Sequence, residues 1–224
     1  MAEKPVLIFD FDGTLVNSMG SFASLAAHLM GDYYGTKLEW AKKQYQLTSG
    51  LPFCEQLERI FPKHPLNFLI SLIFEEYKKA FYKTYPFFPD VQEALENLKK
   101  NGYRLVVSSN NKESLIRQKL VNHLSFFDLI LGYRTGFSKG PQHFNHIQNQ
   151  LACNTNEMIF IGDSLHDGAM AKKCNIPFIA RIGTFSSSTF KKQGIALAHI
   201  DSLNKLIPIF ENKTLDSQNL FLET

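Results

Sequence analysis

The sequence predicts an α/β fold, a parallel sheet flanked by helices, with an all-helical segment inserted after the first strand. Three observations carry that prediction. Short apolar runs rich in β-formers, such as Val-Leu-Ile-Phe at residues 6–9, end abruptly in acidic or small polar residues, as buried strands of a parallel sheet do. Helical patterns separate the later runs, and that alternation builds βαβ units. Between residues 17 and 85 the alternation stops and only helical patterns remain.

The first strand, residues 6–9, is closed by Asp10, Asp12 and the Gly13-Thr14 turn. Residues 21–30, rich in Ala and Leu and followed by Gly31, read as a helix, and residues 38–47, with Lys and Gln on the polar side, as another. Gly50 and Pro52 mark a loop before a third helical stretch at 54–61, which Pro62 and Pro65 end. From Leu66, apolar residues recur at Leu69, Ile70, Ile73, Phe74, Tyr77 and Phe81, the spacing of one core-facing helix side. The Pro-punctuated connection at 85–90 leads to a helix at 91–100, closed by Gly102. Strands at 104–110, 128–131, 157–163 and 176–181 then alternate with helices at 112–121, 140–153 and up to 173. The polar tail from 211 onward, apolar again at 220–222, is open to docking or disorder.

Composition narrows the class of protein. The 224 residues suit one sizeable domain, or a domain with a smaller module. A 44% hydrophobic share with 20 Phe furnishes a core and excludes a disordered chain. The net charge of +3, with no dense Lys/Arg run, fits small anionic substrates and gives no expectation of nucleic acid. Cys54, Cys153 and Cys174 lack any C-x-x-C spacing, so neither a disulfide framework nor a zinc site is expected, and a reducing cytoplasm fits. The opening Met-Ala-Glu-Lys-Pro has no apolar signal region, and the apolar stretch 68–74, broken by Ser71, is far short of a membrane span. A cytoplasmic protein without a membrane partner is the expectation. Asn212-Lys-Thr214 matches a glycosylation sequon, read as chance. Nothing fixes an oligomeric state, and a monomer is favoured.

Chemistry collects at the strand ends. Asp10 and Asp12 are two residues apart, so in extended chain they share a face, with Phe11 opposite. Carboxylates held that close raise each other's proton affinity unless a cation sits between them. The alternative is a strand-end turn made of ordinary turn residues. Later strand ends supply Ser108, Ser109 and Asn110, then Lys139, then Asp163 with Asp167. In an open parallel sheet the carboxyl ends lie along one edge, so one site can hold them all. Carboxylate ligands favour a hard cation, and Mg²⁺ is commonly held by one or two of them together with substrate phosphate and water.

In their order, Asp10-Phe-Asp12-Gly13-Thr14, a strand ending at Ser108, Lys139, and Gly162-Asp163-Ser-Leu-His-Asp167 resemble the four motifs of the haloacid dehalogenase superfamily. The resemblance covers the α/β portion, about two-thirds of the chain. The insertion resembles the helical cap of the phosphoglycolate phosphatase and β-phosphoglucomutase group, although Asn17 stands where an Asp is usual. It implies a Rossmann-like core at residues 1–16 and 87–224 and a cap at 17–86. It further implies Asp10 as nucleophile, forming an aspartyl-phosphate, and Asp12 as general acid and base. Mg²⁺ would be bound by Asp10, the main-chain carbonyl of Asp12, and Asp163, with Asp167 supporting them. The phosphoryl oxygens would fall to Ser108, the amides of Ser109 or Asn110, and Lys139, with the Ser109 hydroxyl as the alternative to Ser108. An acid two residues after the nucleophile favours phosphate esters over haloacids or phosphonates. The implied activity is therefore a Mg²⁺-dependent phosphatase for a small phosphorylated metabolite, phosphoglycolate-like or a sugar phosphate. A phosphomutase of the β-phosphoglucomutase type and a non-catalytic binding module are the alternatives.

Some residues stand outside those motifs. Gly50-Leu51-Pro52-Phe53 could reach from the insertion into the site and read the leaving group, or be an ordinary interhelical turn. His166 reads as solvent-facing, and His143 and His146, three apart without a third ligand, as a solvated helix face.

Overall fold

The computed structural model describes residues 4–211. The sequon and the tail beyond Glu211 lie outside them. Six strands form one parallel sheet: β1 (Val6–Phe9), β2 (Arg104–Lys112), β3 (Leu129–Tyr133), β4 (Met158–Gly162), β5 (Phe178–Arg181) and β6 (Ala198–Ile200), in the order β3-β2-β1-β4-β5-β6. The chain builds outward from β1 to β3 and then crosses back to β4 on the other side of β1, so a crevice opens at the carboxyl end of β1. In register, Phe9 faces Val107 on one side and Ile161 on the other. Asp10, Ser108 and Gly162 therefore stand level at that edge.

Every residue of β1 is buried, and its side chains divide between two apolar clusters. Leu7 and Phe9 join Leu95, Leu98 and Ile116 on one face; Val6 and Ile8 join Phe144, Ile147 and Phe190 on the other. Burying each such Leu, Ile or Phe contributes about 1.5–3 kcal/mol. Helices thus cover both faces: α5 (Val91–Lys100), α6 (Glu113–Lys119) and α10 (Leu206–Glu211) on the first, α7 (Pro141–Leu151), α8 (Leu165–Lys173) and α9 (Ser187–Gln193) on the second. Strand β6 and helices α9 and α10 were not expected from the sequence. The strand is three residues long, at the sheet edge, and leaves no alternation to read.

Four helices occupy the insertion: α1 (Met19–Tyr34), α2 (Leu38–Leu47), α3 (Phe53–Ile60) and α4 (Asn67–Phe81). Contrary to the sequence expectation, α1 runs through Gly31 and ends at Gly35, whose left-handed φ of 67° lets its N–H reach the Gly31 carbonyl. The expected core face of α4 is narrower than its apolar spacing suggests. Ile70 and Phe74 are buried, whereas Leu69, Tyr77 and Phe81 are about half exposed. An aromatic interior of Phe22, Tyr45, Phe53 and Phe74 holds the four helices together, with Phe53 and Phe74 centroids 4.1 Å apart. It continues into the sheet cluster through Tyr82, stacked on Phe11. The two connections lie side by side: Asn17 N–H donates to the Pro86 carbonyl, Phe88 N–H to that of Leu15, and Val16 bridges Phe87. Among the described residues no helix is long and apolar enough to cross a membrane.

Candidate active site

Backbone geometry brings three carboxylates together. Asp10 follows β1 directly, and Asp163 follows β4 beside it. Gly13 lets them approach: its φ is 78°, and a Cβ there would fall 2.0 Å from Asp163 Oδ2. Asp167 is placed by helix capping. It is the third residue of α8, where its N–H donates to Ser164 Oγ at 3.0 Å while the Ser164 hydroxyl donates back to Oδ2 at 2.6 Å. That capping box leaves Oδ1 for Lys139. The Lys139 ammonium is buried, 2.9 Å from Asp10 Oδ1 and 2.7 Å from Asp167 Oδ1.

The charges do not balance. Asp10, Asp163 and Asp167 are buried with one oxygen each within 4.8 Å of the others, and one ammonium cannot neutralise three carboxylates. Burial above all raises Asp10 to about 7; Lys139 pulls it down and Asp167 pushes it further up. Asp163 is driven well above the usual carboxylate range by burial and then by Asp10 and Asp167, against a hydrogen bond from Thr184. Burial alone would lower Lys139, but Asp10 and Asp167 outweigh it and keep the ammonium charged. An all-oxygen cluster with surplus negative charge fits a hard divalent cation.

The Asp12 side chain stands outside this cluster. Its Oδ1 accepts from the Ser18 and Tyr82 hydroxyls, each at 2.6 Å, and Oδ2 from Asn111 Nδ2 at 2.6 Å. Asn111 Nδ2 also donates to the Tyr82 hydroxyl at 3.0 Å, closing a triangle. The Asp12 carboxylate is thus fixed in place. Burial, then the charge of Asp12, raises the Tyr82 phenol well above its ordinary value, so it stays an O–H donor.

The two adjacent serines are placed differently. Ser108 is fully buried, its hydroxyl sharing a 2.9 Å hydrogen bond with His143 Nδ1. Ser109 lines the cavity with Asn110 and Asn111. His143 is fully buried against Phe137, not on a solvated face, and burial lowers it to about 3, so it is neutral. His146 lies edge-on to the same Phe137 ring. Asn110 acts through its side chain: Oδ1 accepts from the Lys139 N–H at 3.0 Å and Nδ2 donates to the Gly50 carbonyl at 3.1 Å.

That last bond shows that the Gly50 loop reaches the sheet edge. Gly50 has a φ of 92°, and a Cβ there would meet Ser164 Oγ at 2.6 Å and the His166 Cβ at 3.0 Å. His166 packs there and is only partly exposed, not solvent-facing as expected. The insertion and the sheet edge enclose a cavity of about 250 Å³, floored by Asp10, Asp12, Ser109, Lys139 and Asp163 and roofed in part by Leu51 and Phe53.

Sequence reasoning missed Ser18, Tyr82 and Asn111. Asn111 lies just beyond the expected strand end at 110, in the stretch where the β2–β3 register shifts. Ser18 stands at the N-cap of α1, but its hydroxyl goes to Asp12 and makes no capping bond. Tyr82 is 70 residues from Asp12, and nothing local marks it.

A parallel sheet with buried aspartates and a lysine along its carboxyl edge, closed over by inserted helices, defines an α/β enzyme whose chemistry is electrostatic. The chain belongs to the haloacid dehalogenase-like hydrolases: that family's model matches residues 7–181. It is 26% identical over 193 residues to a phosphoglycolate phosphatase of Colwellia psychrerythraea, covering 79% of this chain and 83% of that one. It is 25% identical over 170 residues to the pyrophosphatase PpaX of Halalkalibacterium halodurans, covering 74% and 77%. A haloacid dehalogenase-like hydrolase from Streptococcus pneumoniae shares the fold, with a TM-score of 0.78 at 20% identity over 94% of this chain and all of that one.

Proposed function

We propose that this chain is a Mg²⁺-dependent phosphatase that hydrolyses a small phosphate monoester through an aspartyl-phosphate on Asp10. The observation that carries the reading is the division of the acids: Asp10, Asp163 and Asp167 crowd together, with Asp10 and Asp167 on one ammonium, while Asp12 is held apart by three donors. Asp10 Oδ attacks phosphorus and the ester oxygen leaves with a proton from Asp12; water then attacks the acyl-phosphate, Asp12 takes its proton, and Asp10 is freed. Ser109 with the neighbouring amides, and Lys139, hold the phosphoryl oxygens. Asp10, the Asp12 carbonyl and Asp163 would hold Mg²⁺, with Asp167 behind them, and the ion would neutralise phosphoryl charge. In this reading residues 17–86 act as a cap that closes on the core of residues 1–16 and 87–224, and Gly50, Leu51 and Phe53 meet the leaving group. The names of relatives that act on phosphoglycolate and pyrophosphate agree with a small substrate.

The test is phosphate release from a panel of small phosphate esters with Mg²⁺ and with excess chelator. Turnover that survives chelation, with metal absence confirmed by elemental analysis, would remove the metal from this account. No turnover of any ester would remove the phosphatase.

A further inference from the structure

The roof of the cavity is mostly apolar, formed by Met19, Phe22, Leu51, Phe53 and Phe74, yet it holds one ammonium. Lys78 projects from α4 with its side chain 11% exposed, and its Nζ lies 5.9 Å and 5.8 Å from the Phe22 and Phe74 ring centres. A lysine in an exposed i,i+3 pair keeps its head in water at almost no cost, because such pairs are worth little. Lys78 instead turns inward, where an ammonium is expensive unless something negative meets it. Its partner is Glu75, with carboxylate oxygens at 2.9 Å and 2.8 Å, and that side chain is 47% exposed. The negative partner is therefore screened by water while the positive head is not. Glu75 leaves part of the three-donor capacity of the ammonium unspent. Tyr45 lines the same cavity. Its phenol is raised well above the ordinary value by burial and then by the charges of Asp12, Glu75 and Asp163, so it too remains a donor. The floor already supplies what a phosphoryl group needs, and it lies across the same cavity.

We infer that Lys78 is a subsite for an anionic leaving group: the ester turned over carries a second negative group, a carboxylate or another phosphate, that meets the Lys78 ammonium while the phosphoryl group rests on the floor. This rests on the phosphatase reading and narrows it. A neutral polyol would gain little from a buried ammonium, and a cationic leaving group would be repelled.

Three two-carbon esters of nearly equal size separate these cases: phosphoglycolate, 2-hydroxyethyl phosphate and phosphoethanolamine. The expected order of kcat/KM is anionic, neutral, cationic. The anionic-to-neutral ratio should be roughly ten- to a hundredfold, the worth of one hydrogen bond to a charged group. Lys78→Met should bring that ratio towards one, Lys78→Arg should keep most of it, and Glu75→Gln should raise it. Because each is a ratio within one variant, a general loss of fold does not imitate the effect. The same preference should appear without turnover, as a larger rise in Tm of the Asp10→Asn chain with Mg²⁺ and phosphoglycolate than with 2-hydroxyethyl phosphate. If the wild-type chain hydrolyses none of the esters, the phosphatase reading fails, and the melting data alone decide the subsite. An anionic-to-neutral ratio near one in the wild type, or one unmoved by Lys78→Met, overturns the inference.

Discussion

The floor of the cavity comes from strand ends and holds Asp10, Asp167 and Lys139 in ion-pair contact, whereas its roof comes from inserted helices and presents aromatic rings with a single Glu75–Lys78 pair. Floor positions are set by the main chain: strand register places Asp10, Gly13 admits Asp163, and a capping box orients Asp167. Roof positions are set by side-chain packing, chiefly Phe53 on Phe74 and both near Tyr45. Backbone-determined geometry tolerates almost no change of residue type, while packed rings can be exchanged at moderate cost. Under the proposed function the difference puts reaction and selection on separate scaffolds, and variants should divide accordingly.

The largest effect belongs to the floor. Asp10→Asn removes the nucleophile, and turnover should fall by at least about 10⁴-fold on every ester. The melting temperature should not fall, because an amide replaces an acid that burial already disfavours in its charged form. Phosphate release and a circular dichroism melt on one preparation check both halves. Substantial residual activity would contradict the covalent route.

Tyr82 strains the division, since it lies where the inserted helices rejoin the sheet and yet donates to Asp12. Tyr82→Phe removes one of three donors on the acid and base. For alkyl phosphates kcat should fall about 10- to 100-fold, a fraction of what general acid catalysis supplies. For p-nitrophenyl phosphate, whose leaving group needs no proton, the fall should be much smaller. A purely structural role would lower both alike, so the dependence of rate on leaving-group pKa decides.

Metal linkage concerns the floor alone. A carboxyl whose folded pKa lies above its unfolded value keeps a proton that the unfolded chain has lost, so metal-free stability declines as pH rises between the two values. For Asp10 that window runs from 3.8 to about 7, and Asp163 shifts in the same direction. A divalent cation favours both anions and removes the penalty. Mg²⁺ should therefore raise Tm more at pH 7.5 than at pH 5, by at least about 2 °C. An equal rise at both would place the ion elsewhere.

Floor and roof also differ in how far the sequence reveals them. Asp10, Lys139, Asp163 and Asp167 were legible because each ends or follows an apolar run, and a parallel sheet gathers such ends on one edge. Ser108 and Ser109 were not separable in the sequence, because two adjacent serines at a strand end differ only in orientation, which depends on strand register. Tyr82 and Lys78 were not legible at all. Each comes from a helical segment whose placement over the sheet is decided by ring packing between residues distant in sequence, and no local pattern encodes it. The short edge strand β6 escaped for a similar reason, its pairing with β5 being tertiary.

The smallest effect tests the roof, and it requires choosing between two residues of one loop. Phe53 is 3% exposed and packs on Phe74, so Phe53→Ala would cost about 3–5 kcal/mol of core packing and confuse stability with selectivity. Leu51 is half-buried and lines the cavity. Its main-chain carbonyl accepts from Gln56 Nε2 at 2.9 Å, and truncation at Cβ leaves that bond intact. Leu51→Ala should therefore shift relative kcat/KM between a two-carbon and a bulkier phosphate ester by about three- to tenfold, the worth of one or two methylenes in a pocket. Mg²⁺ affinity and capture of the aspartyl-phosphate should stay unchanged, since neither the loop backbone nor the Asn110–Gly50 bond is touched. An altered Mg²⁺ titration with an unaltered order of esters would mean that this loop serves the floor, and the separation of the two scaffolds would fail at the point where they meet.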